Sequence, residues 1–593
     1  MHFYYDPLST AFKSVTGGIP ENYNLTINVK SDAAKVSIVL FRDGSVERSY
    51  PMQKAEGGFF TFEHSFKHGL YWYYFIADGL RFGKSCDLFA EEGSFWSFQL
   101  TVYKRSYNAP DSAKGGIIYQ IFPDRFKNLG DFDVAKGKIK RTDWGGLPTY
   151  RSADGKVYNN EFFGGNFKGI TAKLDYLKSL NVSIVYLNPI SKAYSSHRYD
   201  TSDYLSFDPV LGSEDDLKEM LSEGKKRGIS FVFDGVFNHT GADSIYFNRY
   251  KTFKGKGAYQ GEESEYYNWY CFRRFPDVYE SWWGFESLPS IDKNSKSFQS
   301  FITEKVIPKY LSLGFSGVRL DVVDELTETF VKGIRSAIKK GDKEGLVIGE
   351  VWEDATNKIA YGYRRHYFCG DELDSVMNYP LKDAIVNYIS SGNLSEIVNT
   401  FKEQVNNFPK TALDTLMNVL STHDTSRIIT VFGRTSVQTD KDLMKYERLE
   451  GEDLERGKRL AKLAYAITFT VYGLPSVYYG DEAGVWGDLD PYNRKCYPWG
   501  NEDKEFLAYI KRLSDIRSSS PVFADGDFNI LYAERKVLIF EREKEGKKIT
   551  VAVSRYESAV KIGFETERKE ILYGFGKKRE FTLEPDSVLI FEN

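Results

Sequence analysis

Three carboxylate residues stand at the ends of apolar runs and could carry nucleophilic or acid–base chemistry. Asp321 ends the run Gly-Val-Arg-Leu-Asp, Glu350 follows Val-Ile-Gly, and Asp424 follows Ser-Thr-His. Each lies where an apolar, β-branched run gives way to a polar loop, which is where a (β/α)₈ barrel gathers catalytic side chains from different strands. Two carboxylates that flank a sugar linkage are the minimum set for glycoside hydrolysis. The pattern therefore predicts an enzyme that acts on carbohydrate.

The neighbours of these carboxylates indicate different tasks. Arg319 and Asp321 are two residues apart on one predicted strand, so their side chains point to the same side. We expect the guanidinium to keep Asp321 ionised, as a nucleophile requires, with a purely structural Arg–Asp pair as the alternative. Glu350 lies among Val, Ile, Gly and Trp, an apolar setting that suits a general acid. Asp424 follows His423 and would stabilise positive charge that develops on a sugar.

The elements that would position these residues alternate between strand and helix from Ile117 onward. Helical periodicity fills most of the intervals, for example at 170–180, 214–227 and 298–313. Eight strands favour an α/β fold with a closed (β/α)₈ TIM barrel over an open doubly wound sheet. The predicted strands are 117–122, 183–188, 230–236, 317–322, 346–351, 374–377, 415–420 and 475–479.

The predicted barrel unit, residues 108–520, lies between two β-rich segments. Residues 1–107 hold β-branched and aromatic runs separated by Gly and Asp turns, which predicts an N-terminal β-sandwich with strands at 24–29, 35–41, 59–66 and 70–77. Residues 521–593 return to short alternating strands, which predicts a C-terminal β-sandwich. The stretch of about 240–292 has many aromatic residues and little helical periodicity, so we expect a small B domain inserted after the third strand.

Composition excludes several classes of partner. The net charge is −4, and the chain has no long run of charges of one sign, which argues against nucleic acid or an anionic membrane as partner.

The first residues do not show the basic segment followed by an apolar stretch that marks a signal peptide. A cytoplasmic protein is therefore expected, or a secreted one if its signal was removed. The cysteines are far apart, which argues against a zinc site or a disulfide framework; they are Cys86, Cys271, Cys369 and Cys496.

Four ordered motifs resemble the signature regions of the α-amylase superfamily, glycoside hydrolase family 13. They are Asp234-Gly-Val-Phe-Asn238-His239, Gly317 to Asp321, Gly349-Glu350-Val-Trp and Ser421-Thr-His423-Asp424. The runs at 119–125, 164–170, 197–204 and 473–482 resemble further regions of that family. The resemblance covers about residues 115–515 in the expected order.

Within the superfamily, the chain is most similar to the neopullulanase, cyclomaltodextrinase and maltogenic amylase group. The N-terminal β segment, Phe162-Phe-Gly-Gly, Met377-Asn-Tyr-Pro and Glu325 carry this likeness. The chain departs from that group at Ser287-Leu-Pro-Ser-Ile-Asp292 and at Asp324.

The resemblance implies a role for each site residue. Asp321 would be the nucleophile, Glu350 the acid/base and Asp424 the stabiliser of the transition state. Arg319, His239 and His423 would hold the sugar and the nucleophile. Further sugar contacts are implied for five residues, of which the first would stack beneath the ring: Tyr119, His197, Asp200, Asp490 and Arg494.

The resemblance also implies the reaction and its partners. It implies retaining hydrolysis of α-1,4-glucosidic bonds, with some α-1,6 cleavage, in maltooligosaccharides, cyclodextrins, pullulan or starch. A 4-α-glucanotransferase and a noncatalytic glucan-binding subunit are the alternatives. A homodimer through residues 1–107 is compatible with the group, and no organic cofactor is implied. The aromatic run at 279–285 would line acceptor subsites or fill the core of the B domain.

A calcium site is implied by the same resemblance. Oxygen ligands suit a hard cation. Asx-rich turns without a metal are the alternative interpretation of the same residues. The implied ligands are Asn128, Asp131, Asp133, Gly164 and Asn166.

Overall fold

Eight parallel strands form the centre of the fold in this computed structural model, which describes residues 1–434, 436 and 438–593. From β1 to β6 each strand pairs with the next along the chain, β7 pairs with β8, and β8 pairs with β1. A parallel bridge between Met377 and Met417 closes the circle between β6 and β7. The predicted (β/α)₈ barrel is therefore confirmed. The strands are β1 (Ile118–Ile121), β2 (Ile184–Leu187), β3 (Ser230–Gly235), β4 (Gly317–Leu320), β5 (Leu346–Gly349), β6 (Ser375–Val376), β7 (Met417–Val419) and β8 (Leu474–Tyr478).

Helices cover the outside of the barrel. The predicted helix at 298–313 contains a π-helical middle, Ile302–Val306, just before Pro308. Proline has no N–H to donate to the preceding turn, and a wider turn accommodates that missing bond. The main helices are α1 (Phe167–Thr171), α2 (Leu174–Ser179), α3 (Glu214–Lys226), α4 (Ile307–Leu313), α5 (Glu328–Gly341), α6 (Tyr379–Ser391), α7 (Leu394–Asn407), α8 (Gly451–Thr470) and α9 (Lys504–Ser518).

The alternation of side chains along the barrel strands determines which residues reach the site. Ile118, Tyr186, Val232 and Ile348 point into the barrel, where they form one buried cluster. Their sequence neighbours point outward and pack beneath the helices. Because side chains alternate with period two, the residues two positions beyond each interior residue emerge at the carboxyl mouth of the barrel.

The N-terminal segment forms two sheets whose strands are mostly antiparallel, and they enclose an aromatic core of their own. It contacts the loop between β5 and β6, where Gln99 Nε2 donates to Thr356 Oγ1 at 2.9 Å and Arg364 Nε donates to Asp43 Oδ1 at 3.2 Å. One sheet holds Phe3–Tyr4, Asn24–Ser31, Phe59–Ser65 and Gln53–Lys54. The other holds Ile19–Pro20, Val36–Arg42, Arg48–Pro51, Gly69–Ala77, Leu80–Lys84, Ala90–Glu92 and Phe98–Tyr103.

The C-terminal segment is one connected six-stranded sheet. It remains continuous because β12 pairs with β13 along most of its length and with β14 at Lys569 and Glu570. One face packs on the barrel helices, and the other closes a small core of its own. The strands are β9 (Asp527–Glu534), β10 (Val537–Lys544), β11 (Lys547–Ser554), β12 (Val560–Glu570), β13 (Gly576–Leu583) and β14 (Ser587–Glu592).

The long excursion after β3 carries only short strands, Phe272–Arg274 and Val278–Tyr279. Aromatic residues pack together within it; Phe247, for example, lies 4.7 Å from Tyr279 by ring centroids. Across the described part of the chain, no helix has the length and apolar character that a membrane span needs.

Candidate active site

The three predicted carboxylates lie at the carboxyl mouth of the barrel. Asp321 is the first residue after β4 and Glu350 the first after β5, while Asp424 lies in the loop after β7. Leu320 and Gly349 are paired across the two strands, so the residues that follow them are also neighbours. Asp321 and Glu350 therefore enter the site side by side.

Arg319 joins the carboxylates. Its side chain is fully buried on β4, and Nη1 donates to Asp234 Oδ1 and to Asp321 Oδ1, each at 2.9 Å. Nη2 forms an ion pair with Glu350 Oε2 at 2.9 Å, off the direction of its N–H bonds. One guanidinium thus contacts a carboxylate from each of three adjacent strands.

Glu350 lies in a polar setting, contrary to the apolar one expected from its sequence neighbours. Trp352 Nε1 donates to Oε1 at 3.0 Å, and the backbone N–H of Val322 donates to Oε2 at 2.9 Å. The apolar residues next to Glu350 in the sequence do not surround its carboxylate. Ile348 packs in the interior of the barrel, and Val351 packs in the outer core beneath the helices. Val322 adopts φ +39° and ψ +51°, a strained conformation for a β-branched residue, and this turns its N–H toward Glu350.

The pKa of Asp321 also differs from the expectation that Arg319 would lower it. Burial raises the pKa of Asp321 well above its ordinary value, Glu350, Asp234 and Asp424 add to that rise, and Arg319 opposes it. Arg319 therefore offsets the effect of burial only in part, because it is shared among several carboxylates. Burial also tends to raise the pKa of Asp424, but His423 and then Arg494 outweigh burial and bring it below the ordinary value.

His423 and Arg494 hold Asp424. His423 Nε2 lies 2.9 Å from Asp424 Oδ2, and Arg494 Nη2 lies 3.3 Å from Oδ1. Gln120 Nε2 lies 2.9 Å from His423 Nδ1. Since the amide nitrogen can only donate, the His423 proton lies on Nε2 and faces Asp424.

Tyr199, which sequence reasoning left without a role, lies inside this network. Its hydroxyl donates to Asp234 Oδ2 at 2.8 Å, accepts from Asn188 Nδ2 at 3.0 Å and contacts His423. Its ring lies parallel to that of His423, with centroids 5.2 Å apart. Asp234 was likewise missed. The period-two alternation could have found it, since Asp234 follows Val232 by two residues toward the mouth.

Tyr119 does not reach the sugar side, so the role inferred for it is wrong. Its neighbours Ile118 and Gln120 point into the barrel, and Tyr119 therefore points outward beneath the helices. There its hydroxyl donates to Glu482 Oε1 at 2.6 Å, and Tyr176 of α2 donates to the same oxygen at 2.8 Å.

His197 and Asp200 act on the same loop in different ways. The backbone N–H of Tyr199 donates to His197 Nδ1 at 3.1 Å, so the proton of a neutral His197 lies on Nε2. Burial, followed by Arg494, lowers the pKa of His197 well below its ordinary value. Asp200 accepts from the backbone and hydroxyl of Ser195. Asp200 is therefore a positioning residue for the His197 loop.

His239 and Trp282 lie beside the site, whereas Tyr279 lies in the core of the B domain. The His239 ring stacks on Trp282 with centroids 5.3 Å apart, and Nε2 contacts the Tyr199 carbonyl at 3.1 Å. Burial lowers the pKa of His239 to about 4, which keeps it neutral. Trp282 and Trp283 both donate to Glu325, and Trp283 is 78% exposed. Tyr279 packs in the B-domain core, as one of the two interpretations of this run predicts. That Trp282 and Trp283 line acceptor subsites stays a prediction.

A shallow pocket lies beside His197 and Arg494, and Glu161 and Thr149 also line it. Glu161 accepts from the Thr149 N–H at 2.9 Å and from Arg141 at 2.8 Å, which fixes one wall. Asp490 does not contact the carboxylates directly; it pairs with Lys441 at 2.6 Å. Pro491, one residue on, lines the pocket.

The predicted calcium ligands make other contacts in this structure. Asp131 pairs with Lys140 Nζ at 2.7 Å, and the Asp133 side chain is fully exposed. Asn166 Oδ1 caps α1 by accepting from the Gly169 N–H at 2.8 Å. Asn128 donates its amide to the Phe163 carbonyl, and Gly164 donates its N–H to Asp124. Within the described residues, no group of three or more His, Cys, Asp or Glu could hold a metal ion, and calcium stays a prediction from the resemblance.

Comparison with known proteins identifies relatives along most of the chain. The family description "Alpha amylase, catalytic domain" matches residues 120–505. An amylopullulanase of Thermoanaerobacterium thermosulfurigenes is 33% identical over 96% of this chain and 34% of its own length. A cyclomaltodextrinase of Thermoanaerobacter pseudethanolicus is 30% identical over 82% of this chain and 79% of its own. The chain thus spans only about a third of that amylopullulanase.

Two solved structures are also similar to this chain over most of its length. The type III pullulan hydrolase from Thermococcus kodakarensis matches with a TM-score of 0.71 and 25% identity, over 100% of both chains. The cyclic alpha-maltosyl-(1→6)-maltose hydrolase from Arthrobacter globiformis, in complex with that sugar, matches with a TM-score of 0.68 and 25% identity. The match covers 82% of this chain and 100% of that one.

The two tyrosines give a paired test of the site. Tyr199→Phe removes the hydroxyl that contacts Asp234 and His423, so we expect kcat/KM to fall about 10- to 100-fold, as for a lost hydrogen bond to a charged group. Tyr119→Phe removes a hydroxyl of similar burial outside the site, so kcat/KM is expected to stay the same. Steady-state kinetics of both variants measure this. Equal losses in the two variants would contradict the assignment of Tyr199.

Glu482 gives a test of stability against pH. Burial raises the pKa of this carboxyl from 4.5 to about 7, partly opposed by Tyr119 and Tyr176. Because the folded pKa lies above the unfolded one, the stabilising contribution is complete below about pH 4.5 and is lost as the pH rises to about 7. We expect Glu482→Gln to flatten that fall in denaturant unfolding curves recorded across this window. An unchanged slope would contradict the assignment.

Proposed function

Because the chain belongs to the alpha-amylase family, we propose that it is a retaining glycoside hydrolase of α-glucans. It cleaves α-1,4-glucosidic bonds, and some α-1,6 bonds, in maltooligosaccharides, cyclodextrins, pullulan or starch. The observation that carries this proposal is the side-by-side entry of Asp321 and Glu350 from adjacent strands.

The spacing of these two residues supports the retaining mechanism. Neighbouring strands lie about 4.8 Å apart, and Asp321 and Glu350 follow a pair of residues in register. Both carboxylates contact Arg319 at 2.9 Å. Retaining enzymes hold their two carboxyl groups about 5–5.5 Å apart, while inverting enzymes leave a wider gap for water.

Each step of a double displacement has a group to perform it. Asp321, as the carboxylate paired with Arg319, attacks the anomeric carbon, and Glu350 gives its proton to the glycosidic oxygen as the C–O bond breaks. Glu350 then takes a proton from water, which attacks the anomeric carbon and releases Asp321. Asp424, kept ionised by His423 and Arg494, stabilises the positive charge on the sugar ring in both steps.

The surroundings of the site favour short or cyclic substrates. The pocket beside His197 and Arg494 has a fixed wall at Thr149 and Glu161. Residues 1–107 pack against the β5–β6 loop, which carries Trp352 beside Glu350. We expect both features to narrow the approach for a bulky polymer. A homodimer through residues 1–107 would narrow it further and stays part of the proposal.

Two alternatives to a hydrolase make different expectations about the site and its products. A noncatalytic glucan-binding subunit needs no intact set of catalytic carboxylates, and here all three are present and connected. A 4-α-glucanotransferase would use a sugar hydroxyl in place of water as the acceptor, and products longer than the substrate would reveal it.

A substrate panel tests the proposed function. We expect β-cyclodextrin and maltotriose to be cleaved with higher kcat/KM than soluble starch, because the narrow approach penalises the polymer. Product analysis should include pullulan, and NMR of fresh product should detect the α-anomer first. A β-anomer as first product would exclude double displacement, and a preference for starch would contradict the narrow approach.

Glu350→Gln tests the assignment of the acid. The variant should lose most of its activity on maltotriose, at a cost of several kcal/mol of barrier. It should retain far more activity on an aryl maltoside with a good leaving group, which needs little protonation. Asp321→Asn is the matched control, since loss of the nucleophile should impair both substrates alike. The assignment fails if Glu350→Gln also impairs both equally.

A further inference from the structure

The loop at 571–575, between β12 and β13, is fixed by a buried carboxylate. Glu570 is fully buried and accepts backbone N–H bonds from Leu572 at 2.8 Å, Tyr573 at 2.9 Å and Gly574 at 2.8 Å. A fourth N–H, from Phe575, lies 3.3 Å away. A carboxylate held by several backbone donors makes a short loop rigid.

Contacts to the rest of the protein anchor the same loop from below. Leu572 is buried, Arg512 of α9 donates to the Ile571 carbonyl, and the Ile571 N–H donates to the Ile590 carbonyl at 2.8 Å. The loop therefore has a fixed base, and only its tip reaches the surface.

That tip displays two aromatic rings. The rings of Tyr573 and Phe575 are stacked with centroids 5.6 Å apart and 26° between planes, and the residues are 51% and 55% exposed. Exposed charged side chains flank them on both strands: Lys569, Lys577, Lys578, Arg579 and Glu580. Exposed aromatic rings gain no stability from burial, so a rigid loop that presents two of them indicates a ligand.

We infer that Tyr573 and Phe575 form a second binding site for an α-glucan chain, outside the barrel. Sugar rings have apolar faces that stack on aromatic rings and hydroxyl edges that the flanking charged groups can hydrogen-bond. A second copy of this chain fits less well. Two half-exposed rings offer roughly 200 Å², while a stable protein interface needs about 800 Å² from each partner. The inference rests on the proposed function for the class of ligand.

The experiment measures adsorption of the full chain to granular starch beside its activity on maltotriose. We expect the double variant Tyr573→Ala/Phe575→Ala to adsorb at least about tenfold more weakly, as for the loss of two stacking rings. Its kcat/KM on maltotriose should stay within about twofold of the unmodified protein, since the site lies outside the barrel. Tyr573→Phe keeps both rings and should adsorb normally.

A matched double variant controls for the loss of exposed aromatic surface. Phe95 and Trp96 are also adjacent and exposed, on the N-terminal segment, but their rings are not stacked as a pair as those of Tyr573 and Phe575 are, so Phe95→Ala/Trp96→Ala should leave adsorption unchanged. Unchanged adsorption of Tyr573→Ala/Phe575→Ala would overturn the inference. So would a change from dimer to monomer in that variant by sedimentation, because it would identify a protein contact. A failure of the proposed function would give a different result from a failure of this inference: the unmodified protein would then not cleave maltotriose.

Discussion

The fully buried guanidinium of Arg319 is the constraint on which the site depends. It contacts Asp234, Asp321 and Glu350, which come from three adjacent strands, and so it determines the relative placement of the groups proposed to react. A buried cation needs partners, and buried carboxylates need a cation. Burial tends to lower the pKa of Arg319, but Asp234, Tyr186 and Glu350 outweigh it, so the group stays charged. The fold and the chemistry are joined at this residue.

Much of the fold followed from the sequence because the barrel strands are strongly apolar and end at polar motifs. All eight predicted strands exist, and the carboxylates at their ends converge as expected. Errors arose where side-chain direction decided the outcome. Tyr119 lies in a motif next to the site, yet its position on β1 turns it outward. The apolar neighbours of Glu350 point away from its carboxylate, so sequence proximity misjudged its surroundings.

Other features depend on contacts between segments far apart in the chain, which local patterns do not encode. Tyr199 contacts Asp234 and His423, residues 35 and 224 positions away. Asp131, a predicted calcium ligand, pairs with Lys140, and the side-chain oxygen of Asn166 caps a helix. Which of several available partners an Asp or Asn takes is decided by the packing of the whole loop. Motif resemblance identifies the residues but not these choices.

The backbone of Val322 has a consequence for how this protein can adapt to heat. A β-branched residue in the left-handed region costs about 1–3 kcal/mol, and here that conformation directs an N–H onto Glu350. Relaxing the backbone would make the loop more stable and at the same time release the carboxylate from its hydrogen bond. Thermal robustness and alignment of the reacting groups therefore oppose each other at this position. We therefore expect stabilising substitutions to be tolerated better at positions that hold no reacting group.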